Sequence, residues 1–227
     1  MALLVDLEGI DGSGKGTQAQ RLVERLRQQG HRTESLSFPR YTETRFGRAI
    51  GDFLNGSFGH LNEVHPFLVA LLFAGDRFES RDVLRNAIDH SDVVVLDRYV
   101  PSNVAHQASK CERAQQVDLT HAIFDLEYRI YALPQPDVVV LLDLPPELAQ
   151  QLIARKSARS YTNRTADIQE ADGRYLARCR EVYLRLARSQ PGWHLISCCD
   201  GPHLRPVDSI ADDVWSVIQP LLPNRET

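Results

Sequence analysis

The chain has 227 residues, of which 43% are hydrophobic and 25% are charged, a composition typical of a globular protein with a sizeable core. Its formal net charge is 26 − 30 = −4, which argues against a general attraction to nucleic acid or to a membrane surface. We find no signal-peptide pattern, no Cys-x-x-Cys pair and no apolar run near 18 residues. We therefore expect a cytoplasmic chain with reduced thiols, no zinc site and no membrane span.

The most informative stretch of the chain is residues 8–17. An apolar run before it, residues 3–5, predicts a buried strand, and an amphipathic pattern after it predicts a helix that ends near Gly30. A strand, a glycine-rich turn, Lys15 and a helix form the layout of a phosphate-binding loop, whose backbone N–H groups surround a phosphate chain. The alternative is an ordinary glycine-rich turn between a strand and a helix.

The spacing of the loop fits that motif with one departure. Gly9, Gly14 and Lys15 stand where the motif places them, but the next residue is Gly16, where a serine or threonine is usual. The usual hydroxyl holds Mg²⁺. We therefore expect Thr17, another oxygen or water molecules to hold the ion.

The segment after the first helix predicts a strand, a loop and two helices. Residues 32–36 predict the strand, and residues 38–41 predict a loop at its carboxyl end, where ligands bind in open α/β sheets. Residues 44–54 predict a short helix, and residues 64–88 keep a helical period that predicts one long helix.

Phe73 and Arg77 are four residues apart on this long helix, so they share one of its faces. A ring and a guanidinium group on one face can hold a flat base by stacking and hydrogen bonding. The alternative is a core phenylalanine beside a solvated arginine, and the helical spacing by itself favours that alternative.

Two apolar runs, residues 93–96 and 138–142, predict buried parallel strands. Asp97 and Arg98 follow the first run, so we expect them at the carboxyl edge of the sheet. A carboxylate there can order Mg²⁺ and an arginine can bind a phosphate, although a structural Asp–Arg pair is an alternative for one of the two. His106 has no visible partner as a nucleophile or base, which favours a polar pocket wall or the surface.

The remaining pattern completes an α/β alternation. A polar segment at residues 155–166 carries Arg155, Arg159 and Arg164, and it predicts a loop that is either a solvated charge run or a closing, cationic lid. The alternation predicts a doubly wound sheet with about five parallel strands. Further helices are predicted at 113–133, 145–153, 167–187 and 207–222, a short strand at 193–196 and a loop at 198–205.

Taken in order, these motifs resemble the thymidylate kinases, a family of P-loop nucleoside monophosphate kinases. The resemblance covers nearly the whole chain and strengthens the base-binding interpretation of Phe73 and Arg77. It implies one P-loop kinase domain over residues 1–227, with a five-stranded parallel sheet and a short lid at about 155–166. It rests on residues 8–15, 38–41, 72–77, 97–99 and 134–137, with Ser102, Asn103 and Gln107.

The resemblance also implies the roles of individual residues. For ATP it implies Gly9, Asp11, Gly12, Ser13, Gly14, Lys15, Gly16, Thr17 and Arg155. For dTMP it implies Asp11, Phe38, Arg40, Tyr41, Phe73, Arg77, Arg98, Ser102, Asn103, His106 and Glu170. For Mg²⁺ it implies Asp97, Asp11, Thr17 and Glu170, and for catalysis Lys15, Arg98, Asp97, Asp11, Arg159 and Arg164.

The activity implied by the resemblance is transfer of the γ-phosphoryl group of ATP to dTMP in dTTP synthesis, by a homodimer. One departure concerns His106, because some bacterial members carry a tyrosine there that helps to reject a 2′-hydroxyl. The alternatives are a kinase of another monophosphate, a deoxynucleoside kinase with Glu8 or Asp97 as its base, and a non-catalytic nucleotide-binding paralogue.

Overall fold

The computed structural model describes residues 2–59, 63–154 and 173–223. Its main sheet has five strands, all parallel, in the order β2-β3-β1-β4-β5. The strands are β1 (Leu3–Glu8), β2 (Thr33–Ser37), β3 (Val93–Asp97), β4 (Val138–Asp143) and β5 (Trp193–Ser197). The predicted α/β fold with five parallel strands is therefore confirmed.

Helices flank this sheet, and a π-helical turn, Asp125–Ile130, continues the sixth of them. None of the helices in the described ranges combines the length and the apolarity needed to cross a bilayer. The helices are α1 (Lys15–Gln28), α2 (Arg45–Leu54), α3 (Pro66–Glu79), α4 (Arg81–His90), α5 (Val100–Ala108), α6 (Arg113–Phe124), α7 (Pro146–Ala154), α8 (Gly173–Ser189) and α9 (Val207–Ile218).

The central strand β1 sets the position of the site. Val5 on β1 pairs with Val95 on β3 and with Val138 on β4, and all three side chains are buried. Apolar side chains run without interruption along β3 and β4 up to the final aspartate of each strand, and along β1 up to Glu8 except at the buried Asp6, because helices cover both faces of a parallel sheet. The carboxyl end of β1 therefore opens between the carboxyl ends of its two neighbours, which is where open α/β sheets bind ligands.

The prediction of one long helix over residues 64–88 is wrong, because the chain forms two helices, α3 and α4, with a break at Ser80. Ser80 is fully buried, and its backbone N–H donates to the carbonyls of Asp76 and Arg77 at 3.1 and 3.2 Å. The apolar period continues through the break because both helices pack against the same core. Periodicity therefore could not reveal the bend.

Other segments also differ from the prediction, among them the helix predicted over residues 207–222, which ends at Ile218 and continues as a 3-10 turn, Gln219–Leu221. The helix predicted over residues 113–133 keeps its α form only to Phe124 and then widens into the π-helical turn. The loop predicted over residues 198–205 contains a small antiparallel hairpin, β6 (Cys199–Asp200) and β7 (His203–Leu204). None of these differences affects the strand order of the main sheet.

Candidate active site

A cavity of about 300 Å³ lies at the carboxyl edge of the sheet. The phosphate-binding loop, the loop after β2, the start of α5 and one side of α3 form its walls. It is lined by Asp11, Gly12, Gly14, Lys15, Gly16, Ser37, Phe38, Pro39, Tyr41, Leu54, Phe73, Arg77, Asp97, Arg98, Ser102, Asn103, His106 and Gln107.

Glycine is required in the phosphate-binding loop by backbone geometry. Gly12 and Gly14 have φ angles of 85° and 89°, in the left-handed region that favours glycine. A Cβ at position 12 would lie 2.6 Å from the carbonyl oxygen of Ala149, whereas a Cβ at position 14 would meet nothing within 4 Å. The loop is thus packed tightly on one side and open on the other, as a phosphate cradle must be.

Lys15 stabilises this loop from inside. Its Nζ donates to the carbonyl oxygens of Gly9 and Ile10 at 2.9 and 2.8 Å. Burial, followed by the nearby charge of Arg98, lowers the pKa of Lys15 to about 8. An anion placed in the loop would favour the charged form of this lysine, so the site is electrostatically suited to a phosphate chain.

Arg98 lies at the turn between β3 and α5 with a left-handed φ of 71°. Its Nη2 donates to Oδ1 of Asp11 at 2.5 Å and its Nη1 donates to Oγ of Ser102 at 3.1 Å. Burial opposes its charge, but carboxylates, Asp11 first, raise its pKa above the ordinary value. Arg98 therefore pairs with Asp11 and not with its sequence neighbour Asp97, and it presents a fixed cation to the cavity.

Glu8 holds the turn that carries Arg98. Oε1 of this fully buried carboxylate accepts from the backbone N–H groups of Tyr99 and Ser102, both at 2.9 Å. Its Oε2 accepts from Oγ of Ser102 at 2.6 Å and from the hydroxyl of Tyr183 at 2.7 Å. Glu8 thus satisfies N–H groups at the start of α5, as a capping side chain does, from a different element.

Arg77 is buried, with a side-chain exposure of 2%, so the solvated arginine considered as an alternative is wrong. Its Nε and Nη2 donate to the two carboxylate oxygens of Glu127 at 2.5 and 2.7 Å. Glu127 lies on the π-helical turn and is fully buried. Phe73, one turn before Arg77 on α3, lines the same cavity.

The amide of Asn103 is oriented by acceptors behind it. Its Nδ2 donates to the carbonyl oxygen of Ala70 at 3.0 Å and to Oε1 of Glu127 at 2.9 Å. Both partners can only accept, which fixes the NH₂ group on their side. Oδ1 of Asn103 is buried and has no hydrogen-bond partner in the part of the chain that the structure describes.

The amide of Gln107 has the reverse arrangement. Its Oε1 accepts from Nζ of Lys110 at 2.8 Å, and an ammonium group can only donate. Nε2 of Gln107 is buried without a partner among residues 2–59, 63–154 and 173–223. Asn103 and Gln107 both line the cavity, and each keeps one buried amide atom, an acceptor and a donor respectively, without a partner in the described part of the chain.

His106 lines the cavity between Arg98 and Tyr175. Burial, followed by the charge of Arg98, lowers the pKa of His106 to about 3, so the imidazole is neutral at physiological pH. Nε2 lies 3.4 Å from Nη1 of Arg98, which only donates, and Nδ1 lies 2.9 Å from the hydroxyl of Tyr175. The single ring proton is therefore on Nδ1, and Nε2 accepts from Arg98.

The carboxylates at the cavity would suit a magnesium ion whose other ligands are phosphate oxygens and water. Asp97 ends β3, and its Oδ2 lies 3.1 Å from the point that a Cβ of residue 16 would occupy. Within the described ranges, no group of three His, Cys, Asp or Glu side chains could bind a metal alone. Mg²⁺ typically binds one or two carboxylates together with phosphates and water. Asp97 and Asp11 can supply the carboxylates.

Among the described residues, four predicted site residues do not line this cavity: Gly9, Ser13, Thr17 and Arg40. Arg40 is absent from the cavity lining among the described residues, since its Nη1 donates to Oγ of Ser80 at 3.3 Å and its backbone N–H donates to Asp76 at 3.0 Å. Thr17 is exposed in the first turn of α1. Four predicted residues, Arg155, Arg159, Arg164 and Glu170, lie outside the described residues.

Local sequence patterns did not reveal Glu127 and Lys110 as residues of the site, and they indicated Glu8 only as a possible base. Arg77 and Glu127 are 50 positions apart, and Glu8 and Ser102 are 94 apart. Such contacts leave no periodic pattern in a single sequence. The one available signal for Glu127 was a carboxylate between Leu126 and Tyr128, in a segment predicted to be helical.

Comparisons with known proteins agree with the geometry. The family model described as thymidylate kinase matches residues 7–201. The thymidylate kinase of Mycobacterium tuberculosis is 32% identical over 191 residues, covering 84% of this chain and 87% of that protein. The thymidylate kinase of Deinococcus radiodurans is 31% identical over 219 residues, covering 95% and 96%. A solved structure of thymidylate kinase from Candida albicans shares the fold, with a TM-score of 0.74, 22% identity and coverage of 99% and 96%.

Proposed function

This chain belongs to the thymidylate kinase family and is a nucleoside monophosphate kinase, and from that premise we propose that it transfers the γ-phosphoryl group of ATP to dTMP. The products are dTDP and ADP, and the reaction serves dTTP synthesis. The observation that carries the choice of base is the hydrogen-bonding character of the cavity wall.

Thymine presents one donor, N3–H, between two carbonyl acceptors. The wall offers one acceptor, Oδ1 of Asn103, and donors from Nε2 of Gln107 and from Arg77, whose five N–H groups are only partly used by Glu127. Cytosine has an acceptor at N3 in place of the donor, and an amino group in place of one carbonyl. Its N3 acceptor would therefore face the Asn103 acceptor, and its amino group would face a donor of the wall. Phe73 supplies an aromatic face on which the ring can stack.

We propose that the reaction proceeds by positioning and charge neutralisation. A nucleoside monophosphate is already anionic, so its attack on the γ-phosphorus needs no strong general base. Lys15 and the loop N–H groups hold the ATP phosphates, and Arg98 holds the acceptor phosphate. Asp11 keeps Arg98 in place at 2.5 Å and contacts the deoxyribose 3′-hydroxyl.

The site also needs a divalent cation and further cations over the donor. Bound Mg²⁺ neutralises charge on the phosphate oxygens. We propose Asp97 as its principal protein partner, with Asp11, Thr17 and Glu170 as further contacts. We also propose that Arg155, Arg159 and Arg164 form the basic lid over ATP, as the family resemblance implies.

The principal alternative activity is phosphorylation of a deoxynucleoside, which needs a carboxylate to take the proton of the 5′-hydroxyl. Glu8 was one candidate for that base. Its two oxygens accept four hydrogen bonds and are fully buried, so it is committed to holding the start of α5. Asp97, the other candidate, is the residue that we propose as the partner of Mg²⁺, so a phosphorylated acceptor bound by Arg98 is the activity that we favour.

The test is a coupled assay of ADP formation with Mg-ATP and a panel of acceptors. The panel is dTMP, dUMP, dCMP, ribose TMP, AMP, CMP and thymidine. Turnover led by dTMP is the expected result, and equal use of ribose TMP would mean that His106 does not exclude a 2′-hydroxyl. Turnover of thymidine without dTMP would contradict the proposed role of Arg98, and ATP binding without any turnover would favour the paralogue.

We further propose a homodimer, a cytoplasmic location and one kinase domain over residues 1–227. Large apolar side chains are exposed on three elements that contact one another: Leu68 and Phe78 on α3, Val117 on α6 and Ile130 on the π-helical turn. A second copy of the chain would cover this surface. Sedimentation equilibrium should then give twice the mass of one chain, and Val117→Glu should shift it toward the monomer.

A further inference from the structure

The geometry points to Lys110 as a positioning residue for base recognition: its ammonium group holds the Gln107 amide with the NH₂ group available to the bound base. Lys110 itself does not line the cavity defined by the described residues. The inference rests on the proposed function, since it concerns how the same site selects a base with carbonyl oxygens.

The position of the ammonium group is fixed by several contacts. Nζ of Lys110 lies 2.8 Å from Oε1 of Gln107, 5.3 Å from the ring centre of Phe53 and 6.0 Å from that of Tyr175. These distances suit cation–π attraction. Lys110 forms no salt bridge with any residue that the structure describes, so the amide oxygen is its main polar partner.

The chemistry of the ammonium group determines the orientation of the amide. An ammonium group has three donors and no acceptor, so only the oxygen of Gln107 can face it. Burial lowers the pKa of Lys110 to about 8, which leaves the charged form dominant at neutral pH. The opposite orientation would place two donors against each other in a buried environment.

The consequence is a directed donor at the cavity. Gln107 is fully buried and lines the cavity, and its Nε2 has no partner within the described part of the chain. A buried donor without a partner favours a ligand that brings an acceptor. Both acceptors on the Watson–Crick edge of thymine are carbonyl oxygens, so this orientation matches the proposed substrate. Without Lys110, the amide can turn its oxygen toward the base instead.

A double-mutant cycle tests whether Lys110 acts through Gln107. The variants are Lys110→Met, Gln107→Leu and the double variant, each with its KM for dTMP and its kcat measured at saturating Mg-ATP. Loss of one neutral hydrogen bond to the base should raise the KM of each single variant by about fivefold to tenfold. The kcat should stay within about threefold, because the base contact is made equally before and in the transition state.

The double variant should have the same KM as Gln107→Leu, because Lys110 has nothing to orient once the amide is gone. The matched control is Arg113→Met, which removes an exposed cation from the start of the neighbouring helix α6. It should leave the KM unchanged. Thermal melting curves confirm that each variant is folded at the assay temperature.

Two results would overturn the inference. An unchanged KM in Lys110→Met would show that the amide needs no cation behind it. If Lys110→Met raised the KM for dTMP by the same factor in the wild type and in Gln107→Leu, Lys110 would act by packing alone. A wild-type protein that does not phosphorylate dTMP gives a separate result, since it overturns the proposed function on which the inference depends.

Discussion

Glu127 and Arg77 form a bidentate ion pair that solvent does not reach, with N–O distances of 2.5 and 2.7 Å. The same carboxylate accepts from Asn103, so one buried charge orients two residues of the cavity wall. A buried pair of this kind stabilises little compared with an apolar pair, but removing one partner leaves a buried charge without compensation.

We therefore expect Glu127→Ala to lower the free energy of unfolding by roughly 3–5 kcal/mol. Urea denaturation followed by circular dichroism measures this value. Asp125→Ala is the matched control, because it removes the carboxylate of the exposed ion pair with Arg129, two positions earlier in the same turn. A Glu127→Ala variant as stable as that control would contradict the uncompensated-charge argument.

Removal of Arg98 should abolish most of the activity. We expect Arg98→Ala to lower kcat/KM for dTMP by at least about 100-fold, because the acceptor phosphate and the transition state lose the same cation. Steady-state kinetics measures the change, and Arg32→Ala, at an exposed ion pair with Asp92, serves as the control. A loss below about tenfold, equivalent to ~1.4 kcal/mol, would contradict the proposed role.

The neutral state of His106 predicts how stability depends on pH. Folding lowers the pKa of His106 from an ordinary value of 6.5 to about 3. Below pH 6.5 the unfolded chain therefore binds a proton that the folded chain excludes, and stability falls with falling pH until pH approaches 3. As the pH falls from 7 to 5, this group should lower the free energy of unfolding by about 2 kcal/mol.

Comparison with a variant that lacks the imidazole isolates this contribution. His106→Gln should lose less stability between pH 7 and pH 5 than the wild type, as measured by urea denaturation at each pH. His194→Gln, at an exposed position on β5, should keep the wild-type slope. Parallel slopes for the wild type and His106→Gln would show that His106 titrates alike in both states.

Asp97 should determine the magnesium requirement. Asp97→Asn keeps the shape of the side chain but removes its charge beside the phosphate-binding loop. We expect the Mg²⁺ concentration for half-maximal activity to rise by about tenfold or more. Asp200→Asn, on the exposed hairpin strand β6, is the control, and a magnesium titration that matches the wild type would argue against Asp97 as a partner of the ion.

The sequence by itself determined the features that depend on local patterns. Continuous apolar runs identified β3 and β4, and the glycine spacing with Lys15 identified the phosphate-binding loop. The chain order of these elements also placed Asp97 and Arg98 at the carboxyl edge of the sheet. Each of these features depends on the backbone geometry and burial of one segment. Residues that are close together in the sequence therefore suffice to predict it.

Only the tertiary structure decided how the charges of the site are paired. It joined Arg98 to Asp11 instead of Asp97, buried Arg77 against Glu127, and set Lys110 behind Gln107. It also bent the predicted long helix at Ser80. Each of these outcomes depends on which elements pack together and on the loss of solvent between them, and a charge in a single sequence does not carry that information.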